Sequence, residues 1–230
     1  MKLHRFIGNF NFNNSRVKIY NGDFLNQARN VLRLKVGESL ILCDGIGNEA
    51  TATIKEYNKD FVEVEITSMT KNQNESERKA ILYCSVLKRE NFELVVQKAT
   101  EVGVAEIVPV ISKRTIKLNL RNERLEKIAR EAAEQSGRGV VPKLHQMMGF
   151  EAALNHAKEN NSENMFFDIS GKKPEFEKNN NSVGVFIGPE GGWEDFEIKK
   201  AQKMGFRVVS LSKLTFRAET AAIIAIYLSV

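Results

Sequence analysis

Cysteine is almost missing from this chain: Cys43 and Cys84 are the two in 230 residues. Thiols so far apart make neither a disulfide framework nor a zinc-ligand spacing, so stability must come from an ordinary core in a reducing setting, and no metal is expected. Proline is scarce, with four residues, and Trp193 is the single tryptophan. Long apolar runs are lacking as well. The longest, AAIIAIYL from Ala221 to Leu228, falls far short of the ~20 residues that cross a bilayer. The stretch MKLHRFIGNFNFNN has no apolar segment of signal-peptide type. A cytoplasmic protein with no membrane partner is the expectation.

What is present suits a globular chain: 42% hydrophobic and 27% charged residues. The net charge of +5 is mild, but it is unevenly placed. Residues 1–70 carry nine Lys/Arg against eight Asp/Glu, residues 71–145 fifteen against ten, and residues 146–230 ten against eleven. A basic middle third attracts phosphate backbones through counterion release, which makes nucleic acid a reasonable partner.

Residues 1–70 read as short alternating strands at Lys2–Ile7, Arg16–Tyr20, Ser39–Cys43, Glu49–Tyr57 and Phe61–Thr67. Turn signals such as Asn21-Gly22, Asp44-Gly45 and Gly47-Asn48 separate them, and one short helix fits Asp23–Leu32 with Asp23 as its N-cap. That pattern predicts a small β-barrel. Residues 71–79 (KNQNESERK) are polar and read as a linker. From residue 80 to 230, continuously apolar runs alternate with helical periods. The strands are Ala80–Leu87, Glu106–Ile111, Met165–Ile169, Val183–Ile187 and Phe206–Leu211. The helices are Asn91–Val102, Glu123–Gln135, Phe150–Glu159, Trp193–Met204 and Glu219–Ser229. Strands apolar throughout are those buried on both faces, so this half predicts an α/β fold on a parallel sheet. Asn179–Ser182 reads as a loop.

Ligands of open parallel sheets bind at the carboxyl ends of the strands. Two loops fall there. Gly188-Pro189-Glu190-Gly191-Gly192 follows one strand, and Ser212-Lys213-Leu214-Thr215-Phe216-Arg217 follows another. Glycine lets backbone approach a ligand closely, and a helix start offers free N–H groups. The first loop lacks the Gly-Lys-Ser/Thr ending of a phosphate loop and the GxGxxG of a dinucleotide fold, so neither reading holds.

The spelling of these loops is more specific than their position. GPEGG-W-x-x-x-E from Gly188 to Glu197, followed by a leucine and R-A-E-T-A at Leu211 and Arg217–Ala221, resembles the SPOUT superfamily of knotted methyltransferases. It is most similar to the bacterial 16S rRNA uracil-N3 methyltransferase family (RsmE). His4–Phe6, VLRLKVGE at Val31–Glu38, QKATEVGVAEIVPV at Gln97–Val110, EQSGR at Glu134–Arg138 and Pro142 agree with that family, so the resemblance spans nearly the whole chain. Ser212, Thr215 and Phe216 depart from its usual glycine and aliphatic pair.

The resemblance implies a PUA-like RNA-binding barrel followed by a SPOUT domain with a deep trefoil knot from about Val183 onward. It implies S-adenosyl-L-methionine as cofactor, with Ile187, Gly188, Pro189, Glu190, Gly191 and Gly192 on one wall of its pocket. Leu211, Ser212, Leu214, Thr215, Phe216 and Arg217 form the other. Arg217 is the candidate for stabilising charge on the target base. Glu190 is a second catalytic candidate, as base or as partner of Arg217. Arg5, Arg29, Arg33 and Lys35 are the candidate RNA contacts of the first domain. Arg138 and the basic stretch Arg114, Lys117, Arg121 and Arg124 add to them. The family implies a homodimer through the knot region, and helix Glu219–Ser229, apolar nearly all round, must be buried in a core or an interface. The implied reaction is methylation at N3 of a uridine in small-subunit 16S rRNA. Methylation of tRNA or of a ribose 2′-hydroxyl, and a non-catalytic RNA-binding or ribosome-assembly role, are the rival readings.

Overall fold

The computed structural model describes residues 3–116, 120–175 and 181–230. They form two compact units. One comprises Met1–Glu75 with Ala133–Val141, the other Ser76–Ala132 with Pro142–Val230.

The first unit is a five-stranded sheet in the order β1-β3-β4-β5-β2. Its strands are β1 (His4–Ile7), β2 (Arg16–Ile19), β3 (Ser39–Cys43), β4 (Asn48–Tyr57) and β5 (Val62–Lys71). β1 pairs with β3 in parallel, and the other ladders are antiparallel. Alternation puts every second side chain inside. Leu40 and Leu42 of β3, Ala52 and Ile54 of β4, and Val62 and Val64 of β5 share one core with Phe6 of β1 and Ile19 of β2. The two outer strands therefore curl over the same interior. Between β2 and β3 the expected single helix is split. α1 (Gly22–Asn26) is capped by Asn21, whose side chain accepts the Phe24 N–H at 3.0 Å. Asp23 thus lies in the first turn instead of capping it. A π-helical segment, Gln27–Val31, follows, and the backbone leaves it through Arg33 at φ 54.

The stretch 71–79 is not a free linker. β5 continues to Lys71, and Asn72 and Asn74 both donate to the Gly137 carbonyl (3.0 and 2.8 Å). Glu75 accepts from the Gly139 and Val140 N–H groups and from Arg138 at 2.7 Å. Residues 133–141 belong to this unit through those contacts, which a division at 70 and 80 misses.

The second unit is a parallel sheet ordered β12-β10-β11-β6-β7-β8, with β9 also on β7. Its strands are β6 (Lys79–Ser85), β7 (Glu106–Ile111), β8 (Lys143–Leu144), β9 (Met148–Gly149), β10 (Glu163–Lys172), β11 (Ser182–Ile187) and β12 (Arg207–Val209). The helices are α2 (Arg89–Glu101), α3 (Asn122–Ser136), α4 (Phe150–Asn160), α5 (Asp195–Lys203) and α6 (Ala218–Tyr227). Ile81 and Tyr83 of β6 enter a core with α4 and α5, in which Tyr83 stacks on Phe186 at 4.4 Å. Ala80, Leu82 and Cys84 are equally buried, so their pleat face is covered too. α6 packs on α2 and across β6 and β11. Sequence order and spatial order disagree at β10, β11 and β12. This switch brings the carboxyl ends of all three strands to one place.

Candidate active site

A cleft of about 770 Å³ opens at those carboxyl ends. All twelve residues of the two expected walls line it: Ile187 to Gly192 on one side, and Leu211, Ser212 and Leu214 to Arg217 on the other. Lys88, Asn91, Phe167, Asp168, Ile169, Trp193, Ser210, Ala218, Glu219 and Ala221 complete the lining. Those ten were not singled out from sequence. Phe167–Ile169 were open to inference, since they end a strand and the strand-end rule applies there as it does after Ile187. Glu219 stands inside the R-A-E-T-A motif that drew attention to Arg217.

The first wall is held by local geometry. Gly192 has φ +70, the left-handed region that favours glycine, and its N–H donates to the Pro189 carbonyl at 2.8 Å, closing a tight turn. Gly188 is needed for space: a side-chain carbon there would stand 3.0 Å from Trp193 Nε1. Trp193 is buried, donates from Nε1 to the Phe167 carbonyl at 3.0 Å, and contacts the Phe166 ring at 4.4 Å. The helix expected from Trp193 begins at Asp195, which leaves the indole free to fill the core under the loop. Glu197, the glutamate of the W-x-x-x-E motif, is 1% exposed and accepts from the Glu194 N–H (2.9 Å) and the Lys113 N–H (3.0 Å). Its role is to tie the segment after β7 to the glycine loop.

The second wall is tied to β10 by the Ser210 N–H on the Lys172 carbonyl at 2.7 Å, and turned by the Leu214 N–H on Ser212 Oγ at 3.0 Å. Leu214 and Thr215 are exposed, Phe216 half-buried.

The ionisable groups divide by depth. Glu190 is exposed, and its Oε1 accepts the Lys88 N–H at 3.1 Å, just ahead of α2. Arg217 is exposed and forms no ion pair with Glu190 or Glu219 among the described residues. Glu219, by contrast, is 7% exposed, and its Oε2 is buried without a hydrogen-bond partner. Cys84 lies near both carboxylates: burial first, then Glu190 and Glu219, push its thiol well above the usual range. A buried neutral thiol is no nucleophile. Glycine backbone for close approach, apolar side chains for an aromatic ring and an orphan carboxylate for a cationic group fit a purine nucleoside bearing positive charge, the chemistry of S-adenosylmethionine.

The candidate RNA contacts fare unequally. Arg29, Arg33 and Lys35 are exposed, with Arg29 lying 4.9 Å over the Tyr57 ring. Arg5 is not an outward cation: it pairs with Glu49 beside buried Cys43. Burial, moderated by Arg5, raises the Cys43 thiol to about 11. Arg138 is 4% exposed and clamped on Glu75, so it holds the 133–141 segment instead of reaching for RNA. Arg114 grips the glycine loop, with Nε on Glu194 at 3.0 Å and NH1 on the Gly191 carbonyl at 2.6 Å. Arg124 is bound to Glu93 at 2.6 Å, and Arg121 is exposed. Lys117 lies outside the described residues. Among the described residues no helix is long and apolar enough to cross a membrane, and no group of residues is arranged to hold a metal ion.

Comparison with known proteins defines the class. Residues 74–229 match the family model of an RNA methyltransferase domain, and residues 28–67 that of an RNA methyltransferase PUA domain. Among individual relatives, ribosomal RNA small subunit methyltransferase E of Mesomycoplasma hyopneumoniae is 35% identical over 69% of this chain and 72% of its own. The crystal structure of the Neisseria gonorrhoeae enzyme of that name, bound to S-adenosyl methionine, superposes with a TM-score of 0.88 at 32% identity, covering 98% of this chain and 95% of that one. A putative methyltransferase of Legionella pneumophila, also with bound cofactor, gives 0.87 at 28% identity over 99% and 97%. The chain belongs to the ribosomal RNA small subunit methyltransferase E family.

Proposed function

We propose that this chain methylates N3 of a uridine in the 16S RNA of the small ribosomal subunit, using S-adenosyl-L-methionine, in the cytoplasm. The observation that carries the reading is the two-walled cleft, in which all twelve cofactor residues implied by the family motifs line one end of the sheet. Bound there, the cofactor supplies an activated methyl group whose sulfonium leaves readily. The residues of the chain must then align donor and acceptor, exclude water and handle one proton. Ile187–Gly192 hold one side of the cofactor, and Leu211, Ser212 and Leu214–Phe216 the other. Arg217 lines the cleft and is exposed, so it can reach the incoming RNA. There it stabilises negative charge on the uracil oxygens as the N3 proton leaves. Glu190 Oε2 is left open by the Lys88 contact at Oε1 and is the proton acceptor in this scheme.

The target base leaves its stack to reach the cleft. The exposed cations Arg29, Arg33 and Lys35 supply phosphate contacts from the first unit, and exposed Arg121 supplies one from the second. A homodimer is part of the proposal. α6 ends with Tyr227, Leu228 and Val230 exposed, an apolar edge that a second copy would cover. The trefoil knot implied by the family motifs belongs to the proposal too, in the segment that returns from edge strand β12 to α6 over β6 and β11. The test of substrate class offers cofactor labelled in its methyl group, with small subunits, naked 16S RNA and tRNA side by side. Label entering small-subunit RNA supports the reading. Label entering tRNA alone refutes it, and failure to bind the cofactor in calorimetry would leave only a non-catalytic RNA-binding role.

A further inference from the structure

We infer that Glu219 is the residue by which this site tells the charged cofactor from its spent form. The inference rests on the methyltransferase reading above. Among the lining residues, Lys88 and Arg217 are cationic, and Asp168, Glu190 and Glu219 are anionic. Both cations are exposed, as is Glu190, whereas Glu219 is buried. The interior of the cleft is therefore anionic.

A carboxylate with a buried, unpartnered oxygen is costly and calls for an explanation, and Glu219 is the one such group among the described residues that lines the cleft. Glu219 lies in the first turn of α6, and no hydrogen bond reaches its Oε2. Arg217, two residues away, does not neutralise it.

The ligand of this reaction changes charge during turnover. S-adenosylmethionine carries a sulfonium, an ammonium and a carboxylate, for a net charge of +1. On methyl transfer the S–CH3 bond breaks, its electron pair stays on sulfur, and the product thioether is neutral overall. A buried carboxylate in the lining of the cleft thus gains a partner when the cofactor enters and loses it when the methyl group departs. Glu219 favours loading of the substrate form and lowers the hold on the product, independently of the RNA.

Calorimetry on the full chain tests this with S-adenosylmethionine and S-adenosylhomocysteine, each titrated into wild type and Glu219→Gln. The wild type should bind the sulfonium form more tightly. Glu219→Gln should reduce that preference by about tenfold, the size of one charge-assisted contact. Affinity for the neutral product should hardly move, and Glu219→Asp should keep part of the preference. Equal loss for both ligands, or no loss, overturns the inference. If Glu219→Gln does not fold, wild type is titrated with sinefungin, which carries an ammonium in place of the sulfonium, against S-adenosylhomocysteine, and equal affinities overturn it. Wild type that binds none of these ligands defeats the proposed function itself, a separate result.

Discussion

Gly188→Ala isolates the geometry of the first wall from its chemistry. Gly188 has an ordinary backbone, so the substitution adds no conformational strain of the left-handed kind, only a methyl group. That methyl would sit 3.0 Å from Trp193 Nε1, 3.1 Å from Cε2 and 3.3 Å from Cδ1. Relief requires a shift of a few tenths of an ångström, and the indole is poorly placed to give it. It is packed against Phe166 at 4.4 Å and Phe150 at 5.6 Å, and pinned to the Phe167 carbonyl at 3.0 Å. Overpacking of this kind costs about 1–3 kcal/mol. For a chain of this size, each kcal/mol lowers the melting temperature by roughly 2–4 °C. Differential scanning calorimetry of Gly188→Ala, Trp193→Phe and the double variant tests both the number and its cause. Trp193→Phe removes the crowded pyrrole edge, so the alanine should cost less in that background, with a coupling energy of about 1 kcal/mol. Strictly additive effects would refute the argument that Gly188 is glycine because of Trp193. Cofactor affinity should fall in Gly188→Ala, because Phe167 and the loop both line the cleft.

Other substitutions separate folding from function. Arg217→Ala should lower turnover far more than cofactor affinity and leave the unfolding free energy within the range of surface changes, about ±0.5 kcal/mol; an unchanged rate removes Arg217 from the mechanism. Arg138→Ala should destabilise by about 1–3 kcal/mol, because Glu75 loses its charged partner but keeps the Gly139 and Val140 N–H groups; normal stability with lost RNA binding would restore Arg138 as an RNA contact. Arg33→Gly relieves a left-handed residue and should stabilise by about 1 kcal/mol while weakening RNA binding. Filter binding across a salt series reads that second effect, and unchanged RNA affinity excludes Arg33 from the interface. Burial first, then His145, hold His156 below the ordinary imidazole value, and its Nδ1 meets the Tyr83 hydroxyl at 2.8 Å. The unfolded chain therefore takes up this proton first, so the contribution of His156 to stability is present above pH ~6.5 and lost as pH falls toward its folded value. Melting curves between pH 7.5 and 5 should show that decline, and His156→Asn should flatten it; an equal slope in the variant contradicts the assignment.

Much of the second unit was legible because its strands are apolar on both faces and its helices stop at glycines such as Gly103 and Gly205. The two loops were legible from motif and strand-end position together. Pairing across the chain was not. Arg5 and Arg138 look like surface cations in a basic sequence, and only the fold brings Glu49 and Glu75 to them, 44 and 63 residues away. The same limit applies to 71–79, polar enough for a linker, whose asparagines and Glu75 bond instead to backbone after α3. Glu219 is hidden for a related reason: the R-A-E-T-A spelling does not distinguish a surface carboxylate from a buried one, and only the fold shows its burial without a partner at Oε2.

The identity of the methylated product tests uracil-N3 transfer most directly. Small subunits lacking the modification would be incubated with this chain and methyl-labelled cofactor, the RNA digested to nucleosides, and the labelled nucleoside identified by mass spectrometry. The expected nucleoside is 3-methyluridine. Label recovered as a 2′-O-methylated nucleoside or a methylated guanine would contradict it.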